Sequence, residues 1–365
     1  MEKTLRFDSI LAYEVDMEKS RFEGIAVIGA GVMGRGIAQV AASSGFDVVM
    51  FDIEQRILDG ALEEIKRGVG RMGERGRLRE EEAKMIQGRI STSLSLSTAV
   101  ERAGLVIEAV PEVLELKRRV WREISTSASL NAVFATNTSS LSITSISEAV
   151  SRPERFIGMH FFNPPTIMKL VEVIPGARTS PETVEAVKRT AERMGKTPVI
   201  VKKDSPGFIV NRVLITYLNE AARLLERGYI KEQIDAGMQY GAGMPLGPFM
   251  LMDLIGLDIV YSILKVFEEK LGPNYRPATA IERLFKENKL GRKTSEGFYS
   301  YREAPKVSEA DGRGFDVKLL LDTLISEARR VVEEGIADPE TVDKAMKLGA
   351  NLPLGPFEIA RRDWG

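Results

Sequence analysis

The chain contains no cysteine. That excludes disulfides, thiolate nucleophiles and cysteine-ligated metal, and it fits an intracellular protein. Histidine is almost as scarce: His160 is the single copy, so any imidazole chemistry falls to one residue. No excess of either charge is present. Lys and Arg number 51 against 52 Asp and Glu, a formal net charge of −1, so there is no global basic field to recruit nucleic acid or an anionic membrane. No apolar run reaches the roughly 20 residues of a transmembrane helix. The first 23 residues, MEKTLRFDSILAYEVDMEKSRFE, are too charged for a signal peptide and read as an extension before the first strand. These absences lead to the expectation of a cytoplasmic protein. What is there suffices for large cores: 365 residues, 44% of them hydrophobic, predict two or three domains.

The chain is organised around residues 24–52, GIAVIGAGVMGRGIAQVAASSGFDVVMFD. An apolar run at 25–28 enters a glycine turn, a small-residue helix follows, and a second apolar run at 48–51 ends on Asp52. Strand, glycine turn, helix, strand and acid in this order are the context of a dinucleotide-binding fingerprint, with the acid about 20 residues beyond the turn. Gly29 permits the tight turn, Gly31 lets a pyrophosphate approach the backbone, and Gly34 lets helix and strand pack closely. Free amides at the helix N-terminus face the phosphates. Asp52 can accept hydrogen bonds from both ribose hydroxyls and repels a 2′-phosphate, which favours NAD over NADP. Val32 and Met33 belong to the same turn and join the expected cofactor set.

Strand and helix patterns alternate through the first 150 residues, as in a parallel sheet with crossover helices. Strands are expected at 89–92, 105–109, 132–136, 156–162, 170–174 and 198–201, and helices at 54–87 (one or a pair), 114–127 and 181–194. After 202–207, KKDSPG, the periodicity becomes helical, with 208–227 the longest run. The expected organisation is therefore an α/β, Rossmann-type domain over 1–203 and an all-α domain over 204–305. Residues 306–365 are a partial second copy of the helical domain. NEAARLLERGYI (219–230) resembles SEARRVVEEGIA (326–337), and YGAGMPLGPF (240–249) resembles LGANLPLGPF (348–357). The second copy stops soon after its PLGPF, where the first continues into MLMDLIGLD.

His160 stands near the end of an apolar strand in GMHFFNP, and Glu172 lies in the next strand, KLVEVI, across a proline loop. Two strands joined in this way can bring an imidazole and a carboxylate together. The carboxylate would fix the ring tautomer and raise its basicity, which suits a base that takes a hydroxyl proton while hydride leaves the same carbon. The bland alternative is a satisfied core histidine and a surface glutamate. Position favours the chemical reading, because ligands of open α/β sheets collect at strand ends.

The segments GAGVMGRGIAQVAASSG, ATNTSSLSIT, GMHFFNPP, MKLVEVI, DSPGFIVNR and GAGMPLGPF together resemble the L-3-hydroxyacyl-CoA dehydrogenases of fatty-acid β-oxidation, in order, over residues 24 to 300. The resemblance implies His160 as catalytic base and Glu172 as its partner. It implies Asn211 as the group holding substrate near the reacting carbon and Ser139 as a bond to the substrate hydroxyl. It also implies Glu108 and Lys117 beside the nicotinamide half of NAD, and Asn137 is counted with the cofactor set. Read from the residues alone, Asn211 could brace a helix, Ser139 could be a turn hydroxyl, Glu108 could be an ordinary strand-end acid and Lys117 a solvated lysine. Arg67, Arg71 and Arg75 recur every fourth residue and could meet coenzyme A phosphates or line a solvated face.

The reaction implied is reversible oxidation of an L-3-hydroxyacyl-CoA to the 3-ketoacyl-CoA with NAD. Two rivals stand beside it: a dehydrogenase of a free hydroxy or sugar acid, and an NAD-binding structural or sensor protein without activity. The resemblance further implies an acyl-CoA substrate, and an enoyl-CoA hydratase as a separate partner or a lost fused domain. It also implies a homodimer, or a monomer in which the second helical copy takes the partner's place.

Overall fold

The computed structural model describes residue 22, residues 24–76 and residues 78–362. The N-terminal extension, Phe22 apart, lies outside the described residues. Two compact units emerge. One holds the chain through Thr138 together with Ile143–Pro198; the other holds Ser139–Ser142 and everything from Val199 onward.

The first unit is an α/β layer structure. Its elements run β1 (Ile25–Ile28), α1 (Val32–Ser43), β2 (Val48–Phe51), α2 (Gln55–Glu74), α3 (Glu80–Gly88), β3 (Ile90–Ser93), α4 (Leu96–Val100), β4 (Leu105–Glu108), α5 (Leu114–Ser127), β5 (Val133–Thr136), α6 (Ile143–Ser147), β6 (Phe156–Phe161), β7 (Leu170–Pro175), α7 (Pro181–Arg193) and β8 (Thr197–Ile200). The eight strands are ordered β3-β2-β1-β4-β5-β6-β7-β8. The first six are mutually parallel, and β7 runs antiparallel to β6. The order 3-2-1-4-5-6 is that of a dinucleotide-binding fold. Strands β1, β4 and β5 (IAVI, LVIE and VFAT) are buried at every residue. Uninterrupted apolar runs are what a strand covered on both faces requires. The expected long helix after Asp52 is a pair, α2 and α3, broken at Arg75 and Gly76, where Gly76 takes a positive φ of 66°.

The second unit is helical: α8 (Val210–Glu226), α9 (Lys231–Ala236) running into a π turn (Gly237–Gly241), α10 (Pro248–Ile255), α11 (Leu257–Leu271), α12 (Thr279–Lys286), α13 (Lys318–Glu333), α14 (Pro339–Gly349) and α15 (Pro356–Ile359). The sequence repeat is a structural repeat. In the first copy the Asp235 carboxylate accepts the Phe249 N–H at 2.8 Å, and a Cβ on Gly247 would come within 2.3 Å of Asp235 Cγ. In the second, Asp343 accepts the Phe357 N–H at 2.8 Å, and a Cβ on Gly355 would come within 2.3 Å of the Asp343 side chain. Each PLGPF turn thus begins a helix with Gly as N-cap and Pro at the first turn, docked on an aspartate of the preceding helix. The second copy is part of the same unit as the first, with α13 lying along α8. Among the described residues no helix is long and apolar enough to cross a membrane.

Candidate active site

The glycine turn has the backbone its residues require. Gly29 has φ +99°, a conformation L side chains rarely adopt, and a Cβ there would meet the Ala109 carbonyl at 2.8 Å. A Cβ on Gly34 would fall 1.7 Å from the Gly29 carbonyl oxygen, so helix α1 and the turn touch through backbone. At Gly31 a Cβ would meet nothing within 4 Å, and Val32 beside it is exposed. Gly31 is the N-cap of α1, supplies no side-chain cap, and the first turn, which includes Met33, carries no acid. The amides of that turn are thus left to an anion. Asp52, at the end of β2, accepts the Ala30 N–H at 2.8 Å and is tied to the turn itself. Open face, uncapped helix and adjacent carboxylate fit a dinucleotide.

The imidazole and the carboxylate meet. In the antiparallel β6–β7 pair, His160 stands directly opposite Glu172. Directly opposed residues share a face of the sheet. His160 Nδ1 lies 2.8 Å from Glu172 Oε2, and the two side chains are 5% and 0% exposed. Since a carboxylate only accepts, Nδ1 carries the proton in this bond, which leaves the ring lone pair on Nε2. The Phe162 ring centroid is 4.5 Å from that of His160. Asn137 Oδ1 accepts the Phe161 N–H at 2.8 Å, so the end of β5 is fastened to the strand residue beside the histidine. Lys196 grips the loop between β6 and β7: its ammonium donates to the Pro165 carbonyl and, at 2.8 Å, to that of Met168. Burial, with Lys169 nearby, pushes Lys196 down to about 8.

Glu108 and Lys117 are buried against one another. Glu108 accepts from Lys117 Nζ at 2.6 Å, the Val110 N–H at 2.9 Å, Trp121 Nε1 at 3.2 Å and Thr136 Oγ1 at 2.7 Å. Lys117 is only 1% exposed and also donates to the Val110 carbonyl. The solvated-lysine alternative does not hold, and the pair braces the ends of β4 and β5. Arg67, Arg71 and Arg75 are all exposed, and Arg67 pairs with Glu64 one turn back.

Ser139 and Asn211 belong to the helical unit. Asn211 is in the first turn of α8 and donates from Nδ2 to the Ser139 carbonyl at 3.2 Å. The contact uses the serine backbone. The residue after it, Arg212, was not singled out from sequence, yet it lies buried among Glu327, Glu334 and Tyr275. Lys196, Trp121 and Thr136 were missed likewise.

A dinucleotide fold with an acid at the end of β2 and a paired imidazole at a strand end defines an NAD-dependent oxidoreductase. The comparisons say which. Residues 24–205 match the family model described as 3-hydroxyacyl-CoA dehydrogenase, NAD binding domain. Residues 207–301 and again 314–362 match its C-terminal domain, one stretch for each copy. The hydroxyacyl-coenzyme A dehydrogenase of Sus scrofa mitochondria is 44% identical over 286 residues, covering 76% of this chain and 91% of that one. A 3-hydroxybutyryl-CoA dehydrogenase structure from Escherichia coli superposes with a TM-score of 0.86 at 29% identity, covering 92% and 90% of the two chains. The fatty acid oxidation complex subunit alpha of Psychrobacter is 37% identical over 354 residues, which is 90% of this chain and 48% of that one. The chain belongs to the 3-hydroxyacyl-CoA dehydrogenase family, and its cofactor is NAD.

Proposed function

We propose that this chain interconverts L-3-hydroxyacyl-CoA and 3-ketoacyl-CoA with His160 as the base and Glu172 as its partner. The observation that carries the reading is the register of β6 and β7, which sets the two side chains opposite each other at 2.8 Å in a buried place. Bound NAD supplies the acceptor for the hydride leaving C3. His160 takes the C3 hydroxyl proton on Nε2, and Glu172 stabilises the resulting imidazolium through Nδ1–H. Asp52 would receive the ribose hydroxyls, and the first-turn amides of α1, from Val32 and Met33 on, would receive the pyrophosphate. Asn137, Glu108 and Lys117 act on the cofactor side by holding the ends of β4, β5 and β6 in place. Asn211 and Ser139 orient the substrate. The test is NADH oxidation with 3-ketoacyl-CoA substrates by His160→Gln. Turnover is expected to fall about 10²–10⁴-fold, the range of general-base catalysis, with NADH binding retained. Turnover within about tenfold of wild type rejects the base assignment.

The relation to a fatty acid oxidation complex subunit supports a place in acyl-CoA oxidation beside an enoyl-CoA hydratase, either a separate partner or a fused domain. Hydratase activity in the pure chain would contradict that placement. The packing of α13 along α8 supports the pseudo-dimeric monomer over the homodimer. Sedimentation should then return a mass near 40.4 kDa, and twice that value would reverse the choice.

A further inference from the structure

We infer that the C-terminal helical copy is a positioning element for Asn211, acting through Arg212. The inference rests on the reading of Asn211 as a substrate-orienting residue. Arg212 follows Asn211 in the first turn of α8, so a rotation of that turn carries both side chains together. The guanidinium is 1% exposed. Its Nε donates to Glu327, and its Nη2 donates to Glu334 at 2.9 Å and to the Tyr275 hydroxyl at 3.0 Å. The Tyr275 hydroxyl donates in turn to Glu327 at 2.8 Å. Arg330 stands 3.6 Å from Glu327 and brings a second positive charge to the cluster. Both glutamates come from the second copy, Glu327 from α13 and Glu334 from its end. A planar fork held by two carboxylates and a hydroxyl has one orientation, which a lysine could not reproduce. On another side of the same turn, Asn211 reaches the Ser139 carbonyl.

The backbone entering α8 shows why such a clamp is needed. Gly207 has φ +76°, and a Cβ there would lie 2.4 Å from the Phe267 ring. Phe208, buried, has φ +54°. A bulky L residue in the left-handed region is strained and persists where its surroundings over-determine it. The turn that delivers Asn211 is therefore held from outside, by Phe267 and by the Arg212 cluster. The repeat sharpens the point. The glutamate matching Glu327 in the first copy is Glu220, which pairs at the surface with Arg223 and Arg227. Only the second copy turns this acid inward onto Arg212.

The test is a double-mutant cycle, because coupled residues fail to add. Turnover and KM for acetoacetyl-CoA are measured for Glu327→Gln and Arg212→Lys, each alone and combined with Asn211→Ala. NADH affinity and Tm are followed in parallel. The single variants are expected to lose about tenfold to a hundredfold in kcat, as small misplacements of a substrate contact do. NADH affinity should hold, and each change should cost less than about twofold once Asn211 is alanine, as expected for residues acting as a unit. Equal losses with and without Asn211 mean a merely structural role and overturn the inference. Asn211→Ala with full turnover removes the reading of Asn211 and the inference with it. If Glu327→Gln fails to fold, the joint Arg212→Met, Glu327→Leu variant replaces a buried pair by apolar volume that cores tolerate. That variant should fold with kcat reduced, and wild-type kcat in it would refute the positioning role.

Discussion

Replacing Glu172 by glutamine is the sharpest test of the paired imidazole. The change keeps the shape of a fully buried side chain and removes its charge. With Nδ1 and Oε2 2.8 Å apart, the charge centres of an imidazolium and the carboxylate lie further apart than the contact atoms. At about 4 Å and an effective dielectric of about 20, such charges attract by about 4 kcal/mol. If about half of that attraction has developed when the proton is in flight, the barrier rises by about 2 kcal/mol, or about 30-fold in rate. The amide has a second effect. Should its NH₂ face Nδ1, the ring proton moves to Nε2 and the outward lone pair is lost. A wrong tautomer of this kind costs a serine protease about 10⁴-fold. Glu172→Gln is therefore expected to lower kcat by about 30-fold to 10⁴-fold. The assay is initial-rate NADH consumption with acetoacetyl-CoA on folded protein, with NADH binding titrated separately. Turnover within about threefold of wild type, with NADH bound stoichiometrically, would refute the argument, since the charge alone is worth about tenfold more than that.

Gly34→Ala should abolish NADH binding, and the fold should lose at least the 1–3 kcal/mol typical of overpacking, because the new Cβ lands 1.7 Å from a carbonyl oxygen; unchanged NADH titration and Tm would contradict the contact. Asp52→Asn keeps an acceptor for the Ala30 N–H and removes the charge that repels a 2′-phosphate. The ratio of kcat/KM for NADPH over NADH should then rise about tenfold, the worth of one charged hydrogen bond, and an unmoved ratio would place the ribose elsewhere. Asp338, N-cap of α14, accepts the Thr341 N–H and the Lys202 ammonium, which hold its carboxyl down at about 2. A depressed acid contributes its stability above the unfolded value, ordinarily near 4, and loses it as pH falls through about 2. Because the side chain is half exposed, screening limits that contribution to the size of an ordinary cap, so Asp338→Ala should cost about 1 kcal/mol in urea unfolding at pH 7. The difference should vanish near pH 2, and a pH-independent difference would point to another origin.

Several features were legible in the residues because one local rule sufficed. The roles of Gly29, Gly31 and Gly34 follow from the geometry of a strand-to-helix turn, and each shows in what a Cβ would meet. The repeat was legible because PLGPF recurs with its preceding helix, and the aspartates at 235 and 343 are what make the recurrence structural. Lys117 was harder. Its helix, LELKRRVWREISTS, is mostly polar, and only Trp121 and Ile124, four and seven residues on, mark the face that turns inward. Arg212 could not have been read at all. A guanidinium is buried only when acids arrive to meet it, and those acids lie in the second helical copy, over a hundred residues away. The His160–Glu172 pair was half legible: alternation fixes which face each side chain takes, while the proline loop leaves open which residues stand opposite.

That pairing has a consequence for how the chain can vary. A strand shifted by a single residue turns every side chain to the other face. An insertion that slips β6 against β7 by one residue would therefore put the imidazole and the acid on opposite faces and silence the enzyme, even if it folded. Length added in the connecting residues, 162–169, leaves the ladder in register as long as Lys196 keeps its hold on Pro165 and Met168. Natural and engineered lineages should accept gaps in the connection and none in the two strands.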